Sequence, residues 1–567
     1  MKKAVTIAII LAIAAAVGMA AAGSAQAKLT RDERIADAQT LISMFEHRYA
    51  PVQWKSDYLG ISPDDLTANL ISKVYVNDMS TENFYAAMAT YSGGVRDTHN
   101  WFLIPSLYRA NLGFTCDYVE EKIVIADIDR KILPEDVFPF KRGDELLSLG
   151  GKSAISIMEE LAQYTSEGNE IAEKRFLAIN LTNRSQKYYP HIPTGNVIVE
   201  IGSFANGEIK SVELKWQTTG KPLETEMIAF SQTTSSHSKI SISPSLDIQS
   251  PLEKLRWSGI DETKGEGSHM RDPKPFFKLW NTFVERTTEP LYSGIFMLGG
   301  RKIGFIRIPT WAPKNRKEWF AFFEREIKYL EENTDALLID QTDNGGGQIC
   351  LGEEISRYLV TEPINSNLFQ IRANNYFLEA MEKWYQELKE MGSETGDTPI
   401  IEAILDEIRT AIRKGQRLTE PVSICFNDGK VKPFVNAHDE RIVYSKPILM
   451  LINEWSISTA DMTPAFLQDS GRVKMFGART CGAGGSVTTS SNIGYSDFKI
   501  SQTESLAVRP RPVVTENGFS TRYLENVGVI PDFPYEITLD DFMGGYLGYR
   551  NAVDNALSLM LDGKDGE

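Results

Sequence analysis

The sequence predicts a multidomain α/β protein, and three observations carry that reading. Two short apolar runs, Ala336 to Ile339 and Ile448 to Ile452, show no alternation, the pattern of strands buried on both faces of a sheet. Each run leads through a turn into a helical stretch, Gln348 to Val360 and Ser458 to Gln468. Finally, 567 residues are too many for one ordinary domain, and between 107 and 217 the pattern changes to short strands with glycine turns.

The chain divides as follows. Residues 1–27 read as a leader: Lys2-Lys3, an apolar stretch from Ala4 to Ala22, then Ala25-Gln26-Ala27 as a cleavage pattern. No later stretch approaches membrane-spanning length, so the mature chain is expected to begin at Lys28 and to be exported, periplasmic or secreted, with no integral membrane segment after processing. Residues 28–106 form a helical region, with apolar spacing in IADAQTLISMFEHRYA and TENFYAAMATY and a stop at Gly93-Gly94. Residues 107–217 are β-rich. NVIVEIGSFANGEIKSVELKW reads as a hairpin turning at Asn206-Gly207, and the region resembles a PDZ domain, a module that adds an extended peptide to its sheet edge.

Residues 218–290, with SQTTSSHSKISISPS, read as a Ser/Thr-rich linker open to nicking, self-cleavage included. Residues 291–567 form the α/β core. Within it, 373–416 is expected to be a helical insertion of two charged helices, either a solvated cap or a lid or dimer surface, so a homodimer is possible. Asp541 to Leu561 is expected to be a packed helix.

Net charge is −16, and loss of Lys2 and Lys3 makes the mature chain more acidic; with no Lys/Arg cluster, nucleic acid is excluded as a partner. Four scattered cysteines, Cys116, Cys350, Cys425 and Cys481, do not read as a disulfide scaffold, and no metal motif or cofactor motif is present. The expected reading of the cysteines is buried small hydrophobes, with a redox role open for Cys350 and Cys481 beside the two turns.

Those turns hold the candidate chemistry. Ser458 sits where a buried strand becomes a helix, and helix N-termini present unpaired N–H groups. Helix capping is the competing reading for a lone serine there. Gly345-Gly346-Gly347 allows close backbone approach at the other turn. Of the six histidines, His47, His99, His191, His237, His269 and His438, only His99 lies in a distinctive stretch, RDTHNWF.

LLIDQTDNGGG, LINEWSISTAD, LQDSGR and FGARTCGAGGS resemble the tail-specific, or C-terminal-processing, serine proteases. RYAPVQWKSDYLG, GGVRDTHNWF, GDELLSLGGKSA, GFIRIPTW and SLAVRP…ENVGVIPD extend the resemblance from about Arg48 to Asp532, toward the tricorn-like branch with a Ser–His–Glu site. The resemblance implies a core of the ClpP/crotonase-like type acting on protein or peptide substrates. It implies Ser458 as nucleophile, His99 as base, Glu525 as the carboxylate orienting that base, and the backbone N–H groups of Gly346 and Thr459 as oxyanion donors. It needs no cofactor. Ala483 stands where many family members carry a dyad lysine, which favours His99; Lys474 reads as a surface residue. Ser456 is the rival nucleophile, and Glu504 and Glu516 are fallback carboxylates. Two alternatives stand beside this reading: an inactive peptide-binding or scaffold relative, and a Ser–Lys dyad processing protease.

Overall fold

The structure, a computed structural model, describes residues 29–223, 272–390, 398–426 and 428–563. The leader pattern and the Ser/Thr-rich run therefore lie outside the described residues.

The core is a seven-stranded sheet in the order Val284–Thr287, Ser293–Leu298, Arg301–Arg307, Ala336–Asp340, Ile448–Ile452, Lys474–Gly477, Phe533–Pro534. The first three strands pair antiparallel and the rest run parallel. Every residue of the two predicted central strands is buried. Their side chains alternate between two cores, as a pleated strand requires. Leu337, Ile339, Ile448, Met450 and Ile452 face the helices Arg316–Asn333 and Thr459–Asp469. Ala336, Leu338, Leu449 and Leu451 face the C-terminal helix Leu547–Leu561. Burial on both faces explains why neither run alternates in hydropathy.

Four helices, Arg31–Arg48, Val52–Leu59, Pro63–Val74 and Thr81–Gly93, form the N-terminal region. Hydroxyl caps start three of them: Thr30 with Glu33 as a reciprocal pair, Ser62 on the Asp65 N–H, and Ser80 on the Asn83 N–H. They pack Leu41, Phe45, Phe84 and Met88 onto Phe498 and Ile500 of the core. The strand Phe102–Leu103 then pairs with Phe498–Thr503, which delivers residue 99 to the core.

The PDZ-like region forms a second sheet of Phe114–Val119, Lys122–Ile128, Glu145–Leu149, Asn196–Gly202 and Ile209–Lys215, with Lys152–Ser153 paired at the side. The predicted hairpin is present, Gly202 opposite Ile209, with Gly207 at φ 70°.

Five expectations need correction. The 218–290 linker is structured at both of its described ends: Gln217–Thr219 pairs with Arg109–Asn111, and Val284–Thr287 is the edge strand of the core sheet. Trp280 stacks on Phe296 with ring centroids 3.7 Å apart, so the core begins before residue 291. The helical insertion is not a solvated cap. Helices Asn375–Glu390 and Thr398–Arg413 pack together and bury Phe377, Met381, Ile400, Ile401, Ile404, Leu405 and Ile408 in the same core as the sheet. Burying such side chains is worth roughly 1.5–3 kcal/mol each. The C-terminal helix is two, Leu539–Met543 and Leu547–Leu561, interrupted at Gly544-Gly545. Finally, Cys350 and Cys425 form a disulfide across 75 residues, while Cys116 and Cys481 are buried thiols.

Candidate active site

The central strands are parallel, so the turns that follow them, 341–348 and 453–458, lie side by side at one edge of the sheet. They are stitched together. Asp343 N–H donates to Asn453 Oδ1 (2.9 Å), Asn453 Nδ2 donates to Asp343 Oδ1 (2.8 Å), and Ile457 N–H donates to the Asn344 carbonyl (2.9 Å).

Ser458 holds φ 67°, ψ −115°, a left-handed conformation that a residue with a Cβ adopts only under constraint. Gly346 makes room for it. A Cβ at 346 would lie 2.7 Å from Ser458 Cβ and from the Ile457 carbonyl oxygen. A Cβ at Gly347 would lie 2.3 Å from the Trp311 backbone.

The Ser458 hydroxyl does not cap its helix. Asp461 N–H goes to the Ser458 carbonyl oxygen (2.8 Å), and Asp461 Oδ2 accepts the Ser458 N–H (2.6 Å). Ser458 Oγ lies 2.8 Å from His99 Nε2. This juxtaposition brings together residues 359 positions apart. His99 is fixed by its backbone: its N–H donates to Asp97 Oδ1 (2.8 Å) and its carbonyl accepts the Ser501 hydroxyl (2.6 Å).

Two buried carboxylates belong to this cluster, Asp97 against the histidine and Glu525 coupled by charge to Asp97. Asp97 Oδ2 accepts the Thr503 hydroxyl at 2.8 Å. Burial works to raise Asp97, but Lys55, His99 and the hydroxyls of Thr503 and Tyr49 outweigh it and hold the carboxyl below its ordinary value. Glu525 is fully buried, with one oxygen ion-paired to Lys55 Nζ and the other accepting the Gly484 N–H at 3.0 Å. Burial and then the Asp97 charge push it up to about 7, against the pull of Lys55 and Gly484. Asp461, beneath the serine, also accepts the N–H groups of Gly482 (2.8 Å) and Ala483 (3.1 Å). Burial pushes it up to about 6 despite Thr480 and these three backbone donors.

The two backbone groups named as oxyanion donors adjoin the serine. Thr459 opens the helix, and its N lies 3.1 Å from the Cβ position of Gly346. Gly346 N–H donates to Asn344 Oδ1 (2.9 Å), so it reaches an oxyanion only by exchanging that bond. Of the rivals, Ser456 is tied into its own turn, donating to the Gln341 carbonyl and accepting from Asn453 N–H, both at 3.1 Å. Lys474 Nζ lies 3.3 Å from Asp532 and is partly exposed. Glu504 pairs with Arg48, and Glu516 is exposed.

Sequence reasoning missed Asp97, Asp461 and Lys55 as members of this cluster. Asp97 lies inside RDTHNWF, and Asp461 follows Ser458 by the three residues that suit a first-turn acceptor. Lys55 shares its helix with Trp54, which is buried beside it. Among the described residues no helix is long and apolar enough to cross a membrane.

Comparison with known proteins agrees with this architecture. Residues 302–535 match peptidase family S41, and residues 108–225 match the PDZ domain. An uncharacterised protein of Chlamydia muridarum is 25% identical, covering 92% of this chain and 91% of its own. The crystal structure of mature CPAF, the chlamydial protease-like activity factor, is 22% identical, with a TM-score of 0.75 over 94% of this chain and 98% of that one. Mature CPAF complexed with lactacystin gives a TM-score of 0.74, also at 22% identity, over 94% of this chain and 99% of that one. The chain shares their fold.

Proposed function

Since the chain carries a peptidase family S41 domain and is a serine peptidase, we propose that it is an exported endopeptidase cleaving protein substrates through Ser458, His99 and Glu525. The observation that carries this reading is the contact of 2.8 Å between Ser458 Oγ and His99 Nε2.

The steps follow from that contact. His99 Nε2, neutral, takes the hydroxyl proton as Oγ attacks the scissile carbonyl. General-base help of this kind contributes roughly 10²–10⁴ in rate. The developing oxyanion meets the Thr459 N–H at the helix N-terminus, where the backbone carries partial positive charge. The Gly346 N–H joins if it leaves Asn344. A single such donor is worth about 2.7–4 kcal/mol of barrier. The imidazolium then protonates the leaving amine, and water repeats the sequence on the acyl-enzyme. Asp97 and Glu525 favour the imidazolium by charge. Glu525 is the carboxylate assigned to orient the ring, acting from its clamp between Lys55 and Gly484.

A lysine dyad finds no support at Lys474, which is held by Asp532. Export rests on the leader pattern, and the Cys350–Cys425 disulfide suits an oxidising compartment. N-terminal sequencing of exported protein should read from Lys28; a reading from Met1 overturns that part.

The test of the activity is labelling by a fluorophosphonate and digestion of casein, wild type against Ser458→Ala. Labelling and cleavage should both vanish in the variant. A wild-type chain that binds peptides yet neither labels nor cleaves would instead be a scaffold.

A further inference from the structure

Lys55 comes from the short helix Val52–Leu59 of the N-terminal region, yet it is 1% exposed. An ammonium has three protons to donate. Here it has three buried acceptors: Glu525 Oε1, the Arg96 carbonyl (2.9 Å) and Asn526 Oδ1 (2.6 Å). The residue before it joins the same clamp, since Trp54 Nε1 donates to the Glu525 carbonyl at 2.9 Å. A surface lysine contributing solubility would have none of these partners. A lysine kept only for helix packing would not point its charge at a carboxylate of the site.

The charged groups facing this cluster are few. Glu525 and Asp97 are the buried anions, and Lys55 acts on both. His99 lies against Asp97. The Tyr49 hydroxyl, fully buried, is pushed far up by burial and by the same two carboxylates, so it stays neutral. Asp461 lies across the serine, bonded to the 482–483 backbone. The Arg96 side chain turns outward to Glu173. With His99 neutral and Glu525 ionised, the trio of Asp97, Glu525 and Lys55 carries one net negative charge. When His99 takes the serine proton, that charge is balanced. A buried cluster that becomes neutral when the imidazolium forms stabilises that state and the transition state leading to it.

We propose that Lys55 is a positioning residue of the reaction, clamping the Glu525 carboxylate in its ionised form so that protonation of His99 neutralises the buried cluster. The N-terminal helices are on this account part of the catalytic machinery, tied to it by Lys55 and, through the Glu525 backbone, by Trp54. The inference rests on Ser458 and His99 being nucleophile and base.

Without Lys55, Glu525 loses its counter-charge and holds its proton to higher pH, as its already raised value foreshadows. The experiment is kcat and KM against pH for wild type, Lys55→Met, Glu525→Gln and the double variant, each corrected by fluorophosphonate titration of active sites. In Lys55→Met the acid limb of kcat/KM should move up by about one pH unit or more, with kcat falling about tenfold or more at pH 7 and recovering in part by pH 9. KM should hardly change. A uniform loss at every pH with an unmoved limb would mean that Lys55 only supports the fold, and the proposal fails. The double variant removes both buried charges and keeps the question open to measurement even if Lys55→Met does not fold. It should lie within about threefold of Glu525→Gln, because Lys55 acts through Glu525. A further large loss in the double variant overturns the proposal. Ser458→Ala and His99→Ala run alongside: if either stays active the catalytic assignment itself is wrong, and if both are dead while Lys55→Met keeps the wild-type profile only the role of Lys55 is wrong.

Discussion

Ser458 is held by its neighbours in sequence and by one other turn of the same sheet, whereas His99 is held by segments drawn from both ends of the chain. On the serine side, Asp461 is three residues away, and Gly346 and Asn344 belong to the adjacent parallel strand's turn. On the histidine side, Asp97 is local, but Ser501 and Thr503, which bond His99 and Asp97, come from a second segment, and Lys55 and Glu525, which act on Asp97 by charge, from two more. The nucleophile is therefore a product of strand–turn–helix geometry. The base is a product of tertiary assembly, and it exists only when the N-terminal helices have docked on the core. One consequence is that the serine turn can form in a chain whose base is misplaced, but such a chain has a nucleophile without a proton acceptor.

The sharpest way to probe that contrast is to remove each partner in turn. Ser458→Ala should lose several orders of magnitude in kcat with its melting temperature nearly unchanged, because the hydroxyl's partner is the His99 ring rather than the surrounding fold. His99→Ala should lose roughly 10²–10⁴ in kcat/KM while the serine turn stays intact. Lys474→Ala should stay near wild type, since a partly exposed pair with Asp532 is worth at most about 1 kcal/mol. Casein turnover and thermal melts on the three proteins check this. Near-normal turnover in His99→Ala together with a dead Lys474→Ala would reverse the assignment of the base.

A smaller change tests the serine side alone. Gly346→Ala places a Cβ 2.7 Å from Ser458 Cβ at φ +85°, so both strain and contact oppose it. Stability should fall by roughly 1–3 kcal/mol. Displacing the serine by about an ångström should cost on the order of 10²-fold in kcat. Denaturant melts and kcat measurements decide this; full activity would mean that the two turns are not in contact in solution.

The same contrast explains what was legible in the sequence. Ile448–Ile452 and Ala336–Asp340 announce themselves because burial on both faces leaves a run with no polar position. Ser458 follows from where such a run stops. The Asn206-Gly207 hairpin is equally local. Lys55 was not legible, because nothing in QWKSDYL marks a lysine whose partner lies 470 residues away. The pairing of Cys350 with Cys425 was hidden for the same reason, since a spacing of 75 residues favours no partner. The burial of the helical insertion could have been read. Ile400, Ile401, Ile404, Leu405 and Ile408 recur at helical spacing, and that stripe should have outweighed the charges on the opposite face. The strand Val284–Thr287 escaped because its residues are mostly exposed at a sheet edge, where hydropathy gives no pattern.

The smallest expected effect on the serine side, and the one that separates support from chemistry there, is that of Asp461→Asn. The carboxylate accepts Ser458 and Ala483 N–H on one oxygen and Gly482 N–H on the other. Asparagine keeps one acceptor oxygen and turns an amide NH2 toward a backbone donor. At pH 7.5, stability should fall by about 1–3 kcal/mol, and kcat should fall by roughly tenfold as the turn loosens. The two losses should then move in opposite directions with pH. Burial raises Asp461 from an ordinary carboxylate value to about 6, so between pH 4 and 6 the native protein holds a proton that the unfolded chain has released. By linkage, the stability this group contributes is largest at low pH and declines as pH climbs through that window. The stability advantage of wild type over Asp461→Asn should therefore be greater at pH 5 than at pH 7.5. Activity follows the other sign. Below pH 6 the wild-type carboxyl is itself protonated and loses an acceptor, so the ratio of wild-type to variant kcat should narrow at pH 5. Paired melts and kcat ratios at the two pH values check both slopes. A stability advantage that instead grows with pH would show that the four donors around Asp461 hold it ionised, and that the serine turn rests on a permanent charge.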